Sequence, residues 1–179
     1  MILVLLLYIH FPRATVPSIV FYNLHNCAAV HFIEADNSSY LCSDRKDSTY
    51  IYMKNIAETY WKRKKMPIPH LLLSDYEGRN VWSHKGIVHW RGMNICMVTD
   101  GYWRNKSATN LLDIDYMYLC KGYKGEIAPL QKLFHIKRIV LDASLGDYKS
   151  KAYKEECKTL GLDYIDISEK GSFLSLIHI

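Results

Sequence analysis

A chain of 179 residues with 49% apolar and 23% charged residues has the balance of one folded domain, which excludes a disordered tail or a low-complexity linker. The formal charge of +5 allows an acidic partner such as nucleic acid or lipid headgroups without demanding one. The five cysteines are scattered, with no C-x-x-C pair, so a zinc knuckle and a thioredoxin-type dithiol are excluded, and the odd count argues against a pure disulfide framework.

Met1 to Phe11 is almost wholly apolar and stops at Pro12-Arg13. A helix needs about 20 apolar residues to cross a bilayer, so this run is too short alone. It also lacks the charged start and small-residue cleavage site of a signal peptide. The expectation is the end of a truncated transmembrane helix over residues 1–12, a linker over 13–18, and one domain over 19–179. A buried first strand and an unusual signal are the alternatives.

Ser18 to Leu24 and Ala28 to Glu34 are β-branched and aromatic runs, and Ser39 to Cys42 follows the turn Asp36-Asn37-Ser38. They read as an antiparallel meander. From Asp47 to Lys65 the apolar residues recur at helical spacing: Tyr50, Met53, Ile56, Ala57, Tyr60 and Trp61. Pro67 and Pro69 end that helix. Leu71 to Leu73, Val81-Trp82, Ile87 to Trp90 and Asn94 to Thr99 form a second set of short strands, with turns at Glu77-Gly78, Lys85-Gly86 and Arg91-Gly92. The last third alternates: a strand at Tyr116 to Cys120, a short helix at Ile127 to Phe134 and a strand at Arg138 to Asp142. A helix at Lys149 to Leu160 ended by Gly161, and strands at Tyr164 to Ile167 and Phe173 to Ile177, complete the chain. The fold class is α/β, with mixed sheets and helices outside.

This order of elements resembles the C-terminal domain of ComEC-type competence proteins, a metallo-β-lactamase-like sandwich. Val20 to Leu24, Ala29 to Ile33 and Tyr40 to Asp44 are similar to its opening strands. Asn94 to Asp100 resembles the strand whose last Asp bridges two metals. Asp113 to Cys120 resembles the strand that leads into a His-His-Gly-Ser turn, and Arg138 to Ile167 its closing strand-helix-strand. The shortened, divergent versions found in Bacteroidetes are the nearest in pattern. The resemblance implies a truncated, degenerate sandwich next to a membrane channel, a role in transformation by DNA uptake, and a cell-membrane location with this domain on the extracytoplasmic (periplasmic) side.

The departures concern chemistry. The family's His-x-His-x-Asp-His motif falls where this chain has Asp44 to Lys65, which contains no histidine, and Cys120 to Gly125 replaces the His-His-Gly-Ser turn. Only Asp100 stands at a ligand position, and a catalytic zinc needs about three protein ligands plus a water. No cofactor, metal, catalytic residue or small-molecule substrate is therefore expected. The pairs His84/His89 and His25/His31 lack ligand spacing. Cys120 with His135 has nothing that fixes it as a nucleophile and base, so a buried strand cysteine is the simpler reading.

One surface motif recurs: cations interleaved with aromatic rings, the composition of a surface that contacts phosphates and stacks bases. It comprises Lys62, Arg63, Lys64 and Lys65 after Trp61, then Trp103, Arg104 and Lys106, then Lys121, Tyr123 and Lys124. Solvated helix ends and ordinary turns have the same composition. The function expected is a non-catalytic domain of a DNA-uptake membrane channel, anchored through its N-terminus and contacting DNA through these loops. The alternatives are a metal-dependent phosphoesterase or nuclease rebuilt near Asp100, and a structural domain packing on its own channel or a partner protein.

Overall fold

The computed structural model describes residues 16–36, 38–43, 51, 55, 58–59, 61–62, 68–72, 75–171 and 173–176. The N-terminal run expected to end a membrane helix therefore lies outside the described residues, as do Arg63, Lys64 and Lys65. Among the described residues, no helix is long and apolar enough to cross a membrane.

The opening meander is as the sequence suggests. Strands β1 (Ser18–Phe21), β2 (Ala29–Ile33) and β3 (Ser39–Ser43) pair antiparallel in order. Val20 and Ile19 point to opposite faces, and every residue of β1 and β2 is buried. A strand buried on both sides belongs at the centre of a layered structure. Residues 51, 55, 58–59 and 61–62 are helical, within the helix expected from the Tyr50 to Trp61 stripe. The chain then returns as β4 (His70–Leu72), parallel to β3. β14 (Phe173–Leu176) pairs with β1, so the two ends of the domain meet in one five-stranded sheet.

The second sheet has seven strands. Its antiparallel half is β5 (Asp75–Glu77), β6 (Val81–His84), β7 (Ile87–Trp90) and β8 (Met93–Val98). Two-residue turns join β6 to β7 and β7 to β8. Lys85 and Gly86 have φ of 47° and 82°, and Arg91 and Gly92 have 48° and 77°. Positive φ at both central residues is the type I′ turn, whose twist matches the flanking strands. Gly86 is required twice over, since a Cβ there would also stand 2.7 Å from the Met97 carbonyl oxygen.

The other half is parallel. β10 (Tyr116–Leu119), β12 (Arg138–Leu141) and β13 (Asp163–Asp166) all run with β8. Helix α1 (Asp147–Leu160) connects β12 to β13, and α2 (Ile167–Lys170) follows β13. The strand expected at Tyr116 to Cys120 is β10, and one expectation drawn from the resemblance needs correction. Asp113 to Cys120 is not one strand: Asp115 breaks it, its carboxylate accepting the Asn94 N–H and the Lys137 ammonium. The residues before it form β9 (Leu112–Ile114), which pairs with β11 (Phe134–Ile136) in a small parallel sheet. The short helix expected at Ile127 to Phe134 is a 3-10 helix, Ala128–Lys132, and Phe134 starts β11.

The layers follow from three apolar clusters. Phe21, Phe32, Trp90, Met97 and Tyr118 fill the space between the two large sheets. Val20, Tyr22, Leu41 and Trp61 pack on the outer face of the five-stranded sheet. Tyr153 and Cys157 of α1, with Ile127 and Phe134, cover the parallel half of the seven-stranded sheet. The order is helix, sheet, sheet, helix, an α/β architecture with its helices outside. At about 1.5–3 kcal/mol for each large side chain buried, these clusters supply the main driving force. Polar pins cross the layers: Glu34 accepts the Trp90 indole N–H at 2.6 Å and binds the Arg91 guanidinium at 2.8 Å.

Candidate nucleic-acid interface

Because β8, β10, β12 and β13 are parallel, their C-terminal ends share one edge, and parallel strands commonly place ligand-binding loops there. The segments at this edge are residues 99–106, 120–126 and 142–146. β7 runs antiparallel to β8, so the Lys85-Gly86 turn lies at the same edge, held by Met97 N–H donating to the Gly86 carbonyl at 2.7 Å. Two of the three basic-aromatic segments therefore come together here.

The segment after β8 is built around Tyr102. Asp100 Oδ1 accepts the Tyr102 backbone N–H at 2.8 Å, which turns the chain sharply. The Tyr102 ring packs edge-on against Trp103, at 4.7 Å between centroids. Lys106 Nζ lies 3.2 Å from the centre of that ring and Lys85 Nζ lies 5.3 Å from it. Hydrogen bonding from Lys85, and then from Lys106, holds the Tyr102 phenol below its usual value of 10. Trp103 is half-buried, its inner edge against Phe134 of β11. Arg104 and Lys106 are exposed. The arrangement is a surface ring with two long-stemmed cations beside it, cation–π in geometry.

The segment after β10 is tied to this one. Gly122 approaches Thr99 closely, and the electrostatic influence of Arg104 extends to Tyr123. Lys121 and Lys124 are exposed. Tyr123 is not: it is 1% exposed, its hydroxyl donating to the Glu126 carbonyl at 2.6 Å and its ring stacked with Tyr153. The expectation of a stacking ring at Tyr123 is corrected, because Ile127 and Tyr153 draw that side chain into the apolar cluster under α1. Burial also pushes its phenol up.

The third cluster sits elsewhere. Trp61 is 1% exposed and packs on the outer face of the five-stranded sheet. Its indole N–H donates to the Tyr22 hydroxyl at 2.7 Å, which in turn contacts His31 Nδ1 at 2.8 Å. Trp61 is thus an anchor and no base-stacking ring. Lys62 is exposed but paired with Glu58 at 2.8 Å.

Asp100 does not belong to a ligand cluster. Among the described residues, no three His, Cys, Asp or Glu side chains are grouped to hold a metal ion. Its neighbour across the edge is Gly122, beside Lys121. The nearby carboxylates serve the fold. Buried Asp142 accepts the Tyr118 hydroxyl and the Ser144 hydroxyl. Asp166 binds Lys154 at 2.5 Å and Ser150 at 3.0 Å and caps α2 through the Ser168 N–H. Among the described residues, those around Asp100 do not fit the metal centre that the resemblance implies. The histidines are also dispersed in role: His84 pairs with Asp75 at 2.5 Å, His89 contacts Asn94 at 2.7 Å, and His25 is exposed while His31 is buried. Cys120 is buried with its thiol directed to the Tyr118 carbonyl, and His135 is exposed on β11.

Two members of the cluster carry no signal of their own in the sequence, Lys85 and Tyr102. Tyr102 is adjacent to a basic-aromatic motif, and Lys85 precedes a turn glycine. What joins them is the antiparallel return of β7 beside β8, a tertiary fact. A family model described as the ComEC C-terminal domain matches residues 19–177. No curated protein and no solved structure matches the chain.

Proposed function

We propose that this chain, which belongs to the ComEC C-terminal domain family, is a non-catalytic module that contacts DNA through the C-terminal edge of its seven-stranded sheet. Family membership sets the context, which is competence and DNA uptake. The finer reading rests on one observation: Lys85, Tyr102, Trp103 and Lys106 converge at that edge, beside the exposed Lys121 and Lys124. Cations beside an accessible ring are what a flexible polyanion with stackable bases requires.

The absence of catalysis is inferred from the neighbourhood of Asp100. Its carboxylate is engaged with the Tyr102 N–H, and the facing segment offers lysines where the resemblance would require histidines. In this reading, residues 1–12 end a membrane helix, residues 13–18 link it to the domain, and residues 19–179 stand outside the cytoplasm beside the protein's own channel. The truncated metallo-β-lactamase-like sandwich remains as a scaffold for binding.

Fluorescence anisotropy with labelled single-stranded and duplex oligonucleotides at low salt tests the proposal. Binding that weakens as salt rises supports it. No binding at low salt, or stoichiometric bound zinc or manganese with nuclease activity, overturns it.

A further inference from the structure

The seven-stranded sheet is covered on its outer face over its parallel half, where α1 and the small sheet pack, and as far as Ile87 of β7, among the described residues. Over β5 to β7 that face carries Trp82, His84 and His89, all exposed. Trp82 is 42% exposed, which is unusual for the largest apolar side chain in the middle of a strand. Trp82 and His89 are direct cross-strand partners, and the Trp82 and His84 rings lie 6.1 Å apart. Three flat rings thus form one patch on a rigid hairpin.

Cations stand at both ends of the patch. At one end is Lys85, next to Tyr102 and Lys106. At the other is an open groove of about 510 Å³, where Arg79 is the exposed cation beside Trp82 and His89; Arg91 also lines it, with its guanidinium held by Glu34. Lys85 and Arg91 both hold positive φ at turn positions where Asn, Asp or Gly is ordinarily favoured. At Lys85 a backbone cost of about 1 kcal/mol comes with a long cation beside Tyr102, whereas the Arg91 guanidinium is engaged by Glu34. Asp75 and Glu77 of the outer strand β5 are the direct cross-strand partners of His84 and Trp82, so acidic charge borders the patch along that one side, with Asp75 paired to His84.

We propose that the outer face of the β6–β7 hairpin is a track for single-stranded nucleic acid, running from Tyr102 and Lys106 across His84 and Trp82 to the groove beside Arg79. Trp82 lies about 10 Å along the strand from Lys85, at about 3.3 Å per residue, so the track extends the edge site by more than one base. It rests on the DNA-contact reading and adds to it a path, a strand state and a new stacking residue. A duplex offers no exposed base faces to such rings, whereas a single strand does.

The test is anisotropy with a fluorescein-labelled oligothymidylate of twelve nucleotides against Trp82→Ala, Trp82→Phe and Lys85→Ala/Lys106→Ala chains. Trp82→Ala is expected to weaken binding about 5- to 150-fold, the range for loss of one base–aromatic stack, with an unchanged salt slope. Trp82→Phe keeps a ring and should recover most of the affinity, which separates stacking from damage to the fold. If Lys85→Ala/Lys106→Ala weakens binding while Trp82→Ala matches the parent, the edge site stands and the track is wrong. Tighter binding of the matching duplex also overturns the track. No binding by any chain overturns both readings.

Discussion

Gly122 and Thr99 approach so closely that a Cβ on Gly122 would stand 1.9 Å from the Thr99 carbonyl oxygen. This approach joins the segment after β8 to the segment after β10, and with them the two basic stretches at the sheet edge. Only the residue without a side chain permits it. The edge is therefore one surface made of two loops.

Gly122→Ala must push those loops apart. Overpacking of this kind costs about 1–3 kcal/mol, so the thermal midpoint should fall by roughly 2–10 °C for a chain of this length. Thermal melting followed by circular dichroism checks it. An unchanged midpoint would mean that the loops separate freely.

The Tyr102 phenol should ionise below 10, because Lys85 and Lys106 stabilise the phenolate. Difference absorbance between the parent and Tyr102→Phe during an alkaline titration isolates its signal from the other tyrosines. Replacing Lys85 and Lys106 by Ala should raise the midpoint. A midpoint that ignores both substitutions would dissolve the cluster.

His31 is buried, and desolvation lowers its pKa to about 3. The unfolded state, at about 6.5, then binds the proton that the folded state refuses. Stability is complete above pH 6.5 and declines as pH falls towards 3, with a slope of at most about 1.4 kcal/mol per pH unit from this group. Tyr22 accepts from Trp61 and so donates to Nδ1, an acceptor role that a side-chain amide oxygen also fills. His31→Gln should flatten the acid limb of stability measured by urea unfolding between about pH 4 and 6.5. Parallel curves for the two proteins would contradict this assignment.

Glu34 joins the two sheets through Trp90 and Arg91. Glu34→Ala leaves the indole N–H and the guanidinium without their carboxylate. Breaking a largely buried pair from one side costs about 2–4 kcal/mol here, reduced from the fully buried case because Arg91 is partly exposed. Chemical denaturation measures it, and a loss below about 0.5 kcal/mol would place the pin among ordinary surface pairs.

Much of the architecture is legible along the chain because it is local. The meander, the Lys85-Gly86 and Arg91-Gly92 turns, and the α1 helix before Gly161 all have signatures within a few residues. β9 and β11 are hidden because each is three residues long and pairs with a strand far along the chain, Leu112 with Phe134. Asp115 ends a strand through bonds to Asn94 and Lys137, which no local pattern announces. The site shows the same division. Trp103, Arg104, Lys106, Lys121 and Lys124 are visible as composition, and the edge placement of their loops follows from the resemblance. Tyr123 and Trp61 look like surface rings, yet tertiary burial claims both. Lys85 and Trp82 become visible only when the hairpin is folded.

The most direct test of the DNA-contact account is the salt dependence of affinity, measured as log Kd against log salt for the parent chain and for a chain with Lys85, Lys106, Lys121 and Lys124 all changed to Ala. Removing one phosphate-binding cation should reduce the slope by about 0.7 on a single strand. The parent should bind clearly at low salt, and the quadruple variant should show a slope smaller by about 2–3. Equal slopes and equal affinities in the two folded proteins would contradict it.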